Sequence, residues 1–144
     1  MTAPVLIIGI GNPSRGDDAL GPLLIEHLET LDLPGVELLT DFQLQVEYAL
    51  DLQGRTAVIF VDAAVAGPEP FSFETARPAQ DTSYSSHELS PAAVLHTCEQ
   101  LYGTSPEARI LAIRGYQFDL GTPPSPAALA NLDAASRRLL AEIA

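Results

Sequence analysis

Val5-Leu-Ile-Ile-Gly-Ile10 and Thr56-Ala-Val-Ile-Phe-Val61 are short, unbroken apolar runs rich in β-branched residues. A strand with one wet face alternates polar and apolar residues. An uninterrupted run of this length belongs to a strand covered on both faces. Gly11-Asn-Pro-Ser-Arg-Gly16 follows the first run as a turn-rich loop, and Leu20, Leu23, Leu24, Leu28 and Leu31 then recur at helical spacing. The start of that helix stays open: Asp17 or Asp18 can cap it, or Gly21 before Pro22 can. Val36–Thr40 is a second short strand, and Asp41 is placed to cap a helix carrying Phe42, Val46, Ala49 and Leu50 on one face. The Thr56–Val61 strand ends at Asp62. Phe71–Thr75 reads as an edge strand and Arg77–His87 as a loop. Ser90-Pro91 and Ser125-Pro126 each place a capping hydroxyl before a proline at the first helical position. The first opens a helix with Val94, Leu95, Cys98, Leu101 and Tyr102, the second one with Leu129, Leu132, Leu139, Leu140 and Ile143. Arg109–Ile113 is a further strand between them. This alternation predicts an α/β fold: a three-layer α/β/α sandwich on a central, mostly parallel sheet of about five strands, with residues 1–144 as one domain.

Composition narrows the functional classes. The chain has 144 residues, 47% hydrophobic and 18% charged, which excludes disorder as its main state. No apolar run approaches the roughly 20 residues that span a bilayer. Met1-Thr-Ala-Pro4 has no basic region of a secretory signal, so a cytoplasmic location is expected. Nineteen acids face seven bases, all of them arginine, for a net charge of −12. That field repels phosphate backbones and anionic lipid, so nucleic-acid and membrane-surface roles are disfavoured. Cys98 is the single cysteine. It forms no internal disulfide, and its apolar helical setting makes it a packing residue.

Ligands of such sheets bind beyond the carboxyl ends of the strands. This directs attention to the loops after Ile10 and Val61 and to the approach to the Ser90 helix. Asp17-Asp18 follows the first strand, Asp62 ends the third, and His87 precedes the third helix. Two carboxylates and an imidazole form an O,O,N set suited to a borderline divalent ion such as nickel or zinc, with positions left open. Plainer roles stand beside this one. Asp17 or Asp18 can serve as a helix cap, and His87 as a solvated loop residue. His27 and His96 read as structural. Gly9-Ile-Gly11 after a strand suggests a dinucleotide fingerprint, but Ser14 stands where the third glycine belongs.

VLIIGIGNPSRGDDALGPLLIEHL, then VIFVDAA, then SSHELSPAAVL, resemble the maturation endopeptidases of [NiFe] hydrogenases. The resemblance runs in order from Val5 to about Leu120. Its first block, G-x-G-N-x(4)-D-D-x-x-G, is the most specific. Asp41-Phe-Gln-Leu-Gln-Val-Glu-Tyr-Ala-Leu50 and Arg114-Gly-Tyr-Gln-Phe118 are most similar to members serving soluble, bidirectional, NAD(P)-linked hydrogenases. The resemblance implies an endopeptidase that cuts a C-terminal extension from the large-subunit precursor once nickel is inserted. The family's acid, Asp and His ligands fall on Asp18, Asp62 and His87, which are the expected catalytic and metal-contacting residues. Well-known members have Glu where this chain has the shorter Asp18. Their glycine-rich segment after the second strand is here Asp41-Phe42-Gln43.

On this reading nickel is recognised in the precursor rather than held as a resident cofactor. The partner is the large-subunit precursor, and a small domain of this kind can act as a monomer. No serine has an evident His-Asp pair. The competing class is a non-catalytic nickel- or nucleotide-binding chaperone on the same fold. Peptidyl-tRNA hydrolases share a similar opening, but Arg15-Gly-Asp-Asp18 replaces their next block and the −12 charge opposes tRNA.

Overall fold

A computed structural model of the chain describes residues 2–80 and 89–143. Five strands form one sheet: β1 (Val5–Ile10), β2 (Val36–Asp41), β3 (Ala57–Ala64), β4 (Phe71–Ala76) and β5 (Glu107–Arg114). Their order is β2-β1-β3-β5-β4, parallel except for β4, which runs antiparallel to β5 at one edge. The expected α/β/α sandwich and the Phe71 edge strand are therefore present. Helices α1 (Leu20–Glu29) and α4 (Pro126–Ile143) cover one face. Helices α2 (Tyr48–Leu52) and α3 (Pro91–Tyr102) cover the other. The two apolar runs are buried from both sides: Leu6, Ile8 and Phe60 face α2 and α3, while Ile7, Ile59 and Val61 face α1 and α4.

The α1 layer lies unusually close to the sheet. A Cβ on Gly9 would come within 2.6 Å of the Gly21 carbonyl oxygen. One on Gly21 would come within 2.8 Å of the Ile10 nitrogen and the Val61 oxygen. Two glycines of the opening motif are thus the contact between helix and strand. They hold the start of α1 directly over the ends of β1 and β3.

Both serine caps behave as their sequences predict. Ser90 Oγ accepts the Ala93 N–H and Ser125 Oγ the Ala128 N–H, each ahead of a proline. Cys98 is buried beside Val94 and Leu95, where burial pushes its thiol above the usual range. That is the environment of an inert packing residue.

Three expectations need correction. The helix expected straight after Asp41 is not there. β2 runs through Asp41, the chain turns, and α2 is only Tyr48–Leu52. Leu44, Ala49 and Leu52 are buried, whereas Phe42, Val46 and Leu50 are exposed, so the expected stripe is out of phase. Next, β3 does not stop at Val61. Pairing with β5 continues through Asp62↔Ala112 to Ala64↔Arg114, three residues beyond its last pair with β1. Finally, neither Asp17 nor Asp18 caps α1. Both lie in a 3-10 turn, Gly16–Ala19, that leads into it, and no side chain caps the helix.

Candidate active site

Strand order places the site before any family is considered. β1 leads through α1 to β2 on one side, and β2 returns through α2 to β3 on the other. Right-handed crossovers in opposite directions put α1 and α2 on opposite faces. The carboxyl ends of β1 and β3 therefore flank the point where the winding reverses, which is the usual ligand crevice of such sheets. Asp18 follows β1 and Asp62 lies on β3 beyond its last pair with β1. The structure thus brings these two loop and strand ends to one edge of the sheet. His87 lies outside the described residues, and among the described residues no three His, Cys, Asp or Glu groups converge.

Asp18 is partly buried and is held by the loop that precedes it. Its Oδ2 accepts the Asn12 N–H at 2.8 Å, and Asn12 Oδ1 in turn accepts the Ser14 N–H at 2.9 Å. Gly11 has φ +147°, and a Cβ there would collide with the Asp18 carbonyl oxygen. Only glycine lets the loop close over Asp18. Asp62 is also partly buried, and its Oδ1 accepts the N–H of Ala63 at 2.8 Å.

Asp17 does something different. It is wholly buried, and its carboxylate accepts four hydrogen bonds. Tyr116 N–H (2.6 Å), Gln117 N–H (2.9 Å) and Ser125 Oγ (2.8 Å) donate to Oδ2, and Ser125 N–H (2.6 Å) donates to Oδ1. Burial alone would raise its pKa, but the donors from Ser125, Tyr116 and Gln117 outweigh it and hold the carboxyl below its ordinary value. Ser14, Gly16 and Asp17 also share backbone hydrogen bonds with Gln117, Gly121 and Thr122. Asp17 therefore clamps the Asp18 turn to the segment between β5 and α4.

A third rim carboxylate escaped the sequence reading. Asp41, taken there as a helix cap, is the last residue of β2 and pairs with Ile10. Its Oδ1 accepts the Phe42 N–H and its Oδ2 the Tyr48 hydroxyl, each at 2.7 Å. Burial and this carboxylate push the Tyr48 hydroxyl above its usual range. The signal that could have found it is the one used for Asp62: an acid at the end of a strand. A pocket of about 220 Å³ opens beside it, lined by Gly11, Pro13, Pro22, Thr40, Asp41 and Phe42. A larger cavity of about 470 Å³, lined in part by Ala57, Thr75, Arg77 and Glu107, lies at the other end of β3. It is about 17 Å from Asp62 at the usual strand rise, too far to share its chemistry.

No protein-family model and no curated protein matches this chain. Solved structures do. A [NiFe] hydrogenase maturation protease, HycI, from Thermococcus kodakarensis KOD1 is 27% identical, with 98% of this chain and 92% of that one covered and a TM-score of 0.73. An Escherichia coli endopeptidase solved in solution is 26% identical over 95% of this chain and 90% of that one, with a TM-score of 0.74. The E. coli hydrogenase maturating endopeptidase HybD shares the fold at 23% identity, with 96% and 90% covered and a TM-score of 0.77. Sheet and sandwich are those of solved peptidases. The chain is similar to hydrogenase maturation proteases over nearly its whole length.

Proposed function

We propose that this chain is the endopeptidase that removes the C-terminal extension of a [NiFe] hydrogenase large-subunit precursor after nickel insertion. The observation that carries this reading is the placement of Asp18 and Asp62 on either side of the winding reversal, on a fold shared with such proteases. Nickel enters as part of the substrate. Asp18, Asp62 and His87 are proposed to contact the ion seated in the precursor through its open positions. An O,O,N donor set alone holds a divalent ion only modestly, so the ion serves as a checkpoint. Asp18, held by the Asn12 N–H, is one acceptor at this end of the sheet. Asp62, one bond from the Ala63 amide, is the second acceptor there. Either can orient the scissile peptide or take a proton from an attacking water.

We assign the substrate to the soluble, bidirectional, NAD(P)-linked type. In support, Arg114-Gly-Tyr-Gln-Phe118, a stretch similar to members of that type, includes two of the three residues whose amides hold Asp17. Cytoplasmic location and action as a monomer complete the proposal. No described helix is long and apolar enough to cross a membrane.

Intact-mass measurement of the nickel-loaded precursor after incubation with the chain tests the reading. Loss of one discrete C-terminal peptide, absent with metal-free precursor, is expected. Stable binding with no mass change would replace the protease by a non-catalytic binder. Equal cleavage of metal-free precursor would end the checkpoint role of nickel.

A further inference from the structure

Nine large apolar side chains are exposed among the described residues, and five of them lie on segments that leave the carboxyl ends of parallel strands. Phe42 and Val46 follow the end of β2, Val65 follows β3, and Tyr116 and Leu120 follow β5. These are the loops leaving the carboxyl ends of parallel strands, the edge that carries Asp18 and Asp62. The degree of exposure is large: 60% for Phe42, 73% for Val65 and 65% for Leu120. Singly scattered apolar side chains need no explanation, but a concentration around one rim marks an interaction surface.

The charges among them narrow the occupant. Asp41, Glu47, Glu69 and Asp119 lie on the same segments. Against them stand two bases: Arg15, exposed in the loop after β1, and Arg114, which is bonded to the Gly67 carbonyl and the Glu69 carboxylate. A second copy of this chain would bring acid against acid, which opposes pairing. A partner whose apolar patch is fringed with lysine or arginine meets both the apolar groups and the field.

We propose that these loops form a two-sided docking surface for the folded body of the precursor, with the tail entering between them over the rim. One side is Phe42 and Val46; the other is Val65, Tyr116 and Leu120. This rests on the protease reading for the identity of the partner. On it, recognition is spread over apolar loops that lie outside the carboxylate site, and the chain selects the folded precursor as well as the bond.

The test uses the full chain and the nickel-loaded large-subunit precursor of the source organism. Phe42→Ser/Val46→Ser and Val65→Ser/Leu120→Ser are compared with Leu31→Ser and Leu101→Ser, exposed leucines after α1 and on α3 away from the rim. Thermal melting confirms that each variant is folded. The rim variants are expected to raise KM tenfold or more and to weaken precursor binding equally, while the two control variants match the wild type. Unchanged KM in the rim variants, or an equal loss in the controls, overturns the docking surface and leaves the protease reading intact. If the wild type binds precursor without shortening it, and the rim variants lose that binding, docking stands and the protease reading falls. No binding by the wild type overturns both. A dimer in sedimentation that Phe42→Ser dissolves assigns the surface to a second copy and overturns the proposal.

Discussion

Asp17 and Asp18 are chain neighbours with opposite employment. Asp17 is a buried acceptor for three amides and one hydroxyl, while the partly buried Asp18 accepts the Asn12 amide of its own loop. Asp17→Ala leaves those donors buried without an acceptor. Each such group costs about 1–3 kcal/mol, so a loss of at least about 3 kcal/mol is expected in urea unfolding. The pH dependence has a definite sign. The folded carboxyl lies below its ordinary value, so the unfolded chain binds the proton more readily. The stabilisation is present above about pH 4, the unfolded value, and is lost as pH falls through the folded one. The stability gap between wild type and Asp17→Asn should therefore shrink on acidification toward pH 3, read as melting temperature. Asp18→Asn and Asp62→Asn should instead leave melting within about 2 °C of wild type, as expected for sites away from the core. Precursor cleavage should fall by about 100-fold or more, in the range of a lost acid–base group. Asp62→Asn keeps the Oδ1 acceptor for Ala63, so full activity in that variant would remove Asp62 from the site.

At the scale of the element, α2 shows where periodicity misleads. Phe42, Val46, Ala49 and Leu50 satisfy helical spacing, and so does the set that is buried in part, Ala49 and Leu52. Between Asp41 and Tyr48 the backbone makes tight turns, with Tyr48 N–H bonded to Gln45 and Ala49 N–H to Val46. Leu44, from outside the helix, fills the core position beside α3. Leu52→Ala should cost about 2–5 kcal/mol, the range for a buried leucine. Leu50→Ala should change stability by less than about 0.5 kcal/mol. Urea denaturation of the pair reads the phase of the segment directly, and equal losses would restore the expected stripe. The extension of β3 past Val61 has a related cause. Local sequence marks Asp62 as an end, but β5 offers partners as far as Arg114, so the ladder continues. Where a neighbour strand decides the length, the strand's own residues cannot.

At the scale of the whole molecule, a net charge of −12 works against compaction. Raising NaCl from about 10 mM to about 0.5 M screens this repulsion and should raise the melting temperature at pH 7 by a few degrees. Arg55 is the exception to surface pairing. Its side chain is buried, and it bonds the Ala3 carbonyl, the Asp51 carbonyl and Glu37. A buried lock of this kind is screened little, so it should not offset the gain. A melting temperature that falls with salt would show that the exposed ion pairs outweigh the repulsion.

The sequence by itself determined the layered α/β fold. Strands buried on both faces must be continuously apolar, and helices on them must carry a stripe, so these patterns are local and legible. It also pointed to Asp18 and Asp62, because an acid after a buried strand is conspicuous. Only the tertiary structure decided what each acid does. Asp17 becomes a clamp because Tyr116, Gln117 and Ser125, about 100 residues away, present their donors to it. Asp41 becomes a rim residue because Ile10 pairs with it. The exposed apolar rim likewise exists only once β2, β3 and β5 lie side by side. Partners so distant in sequence leave no periodic trace along the chain.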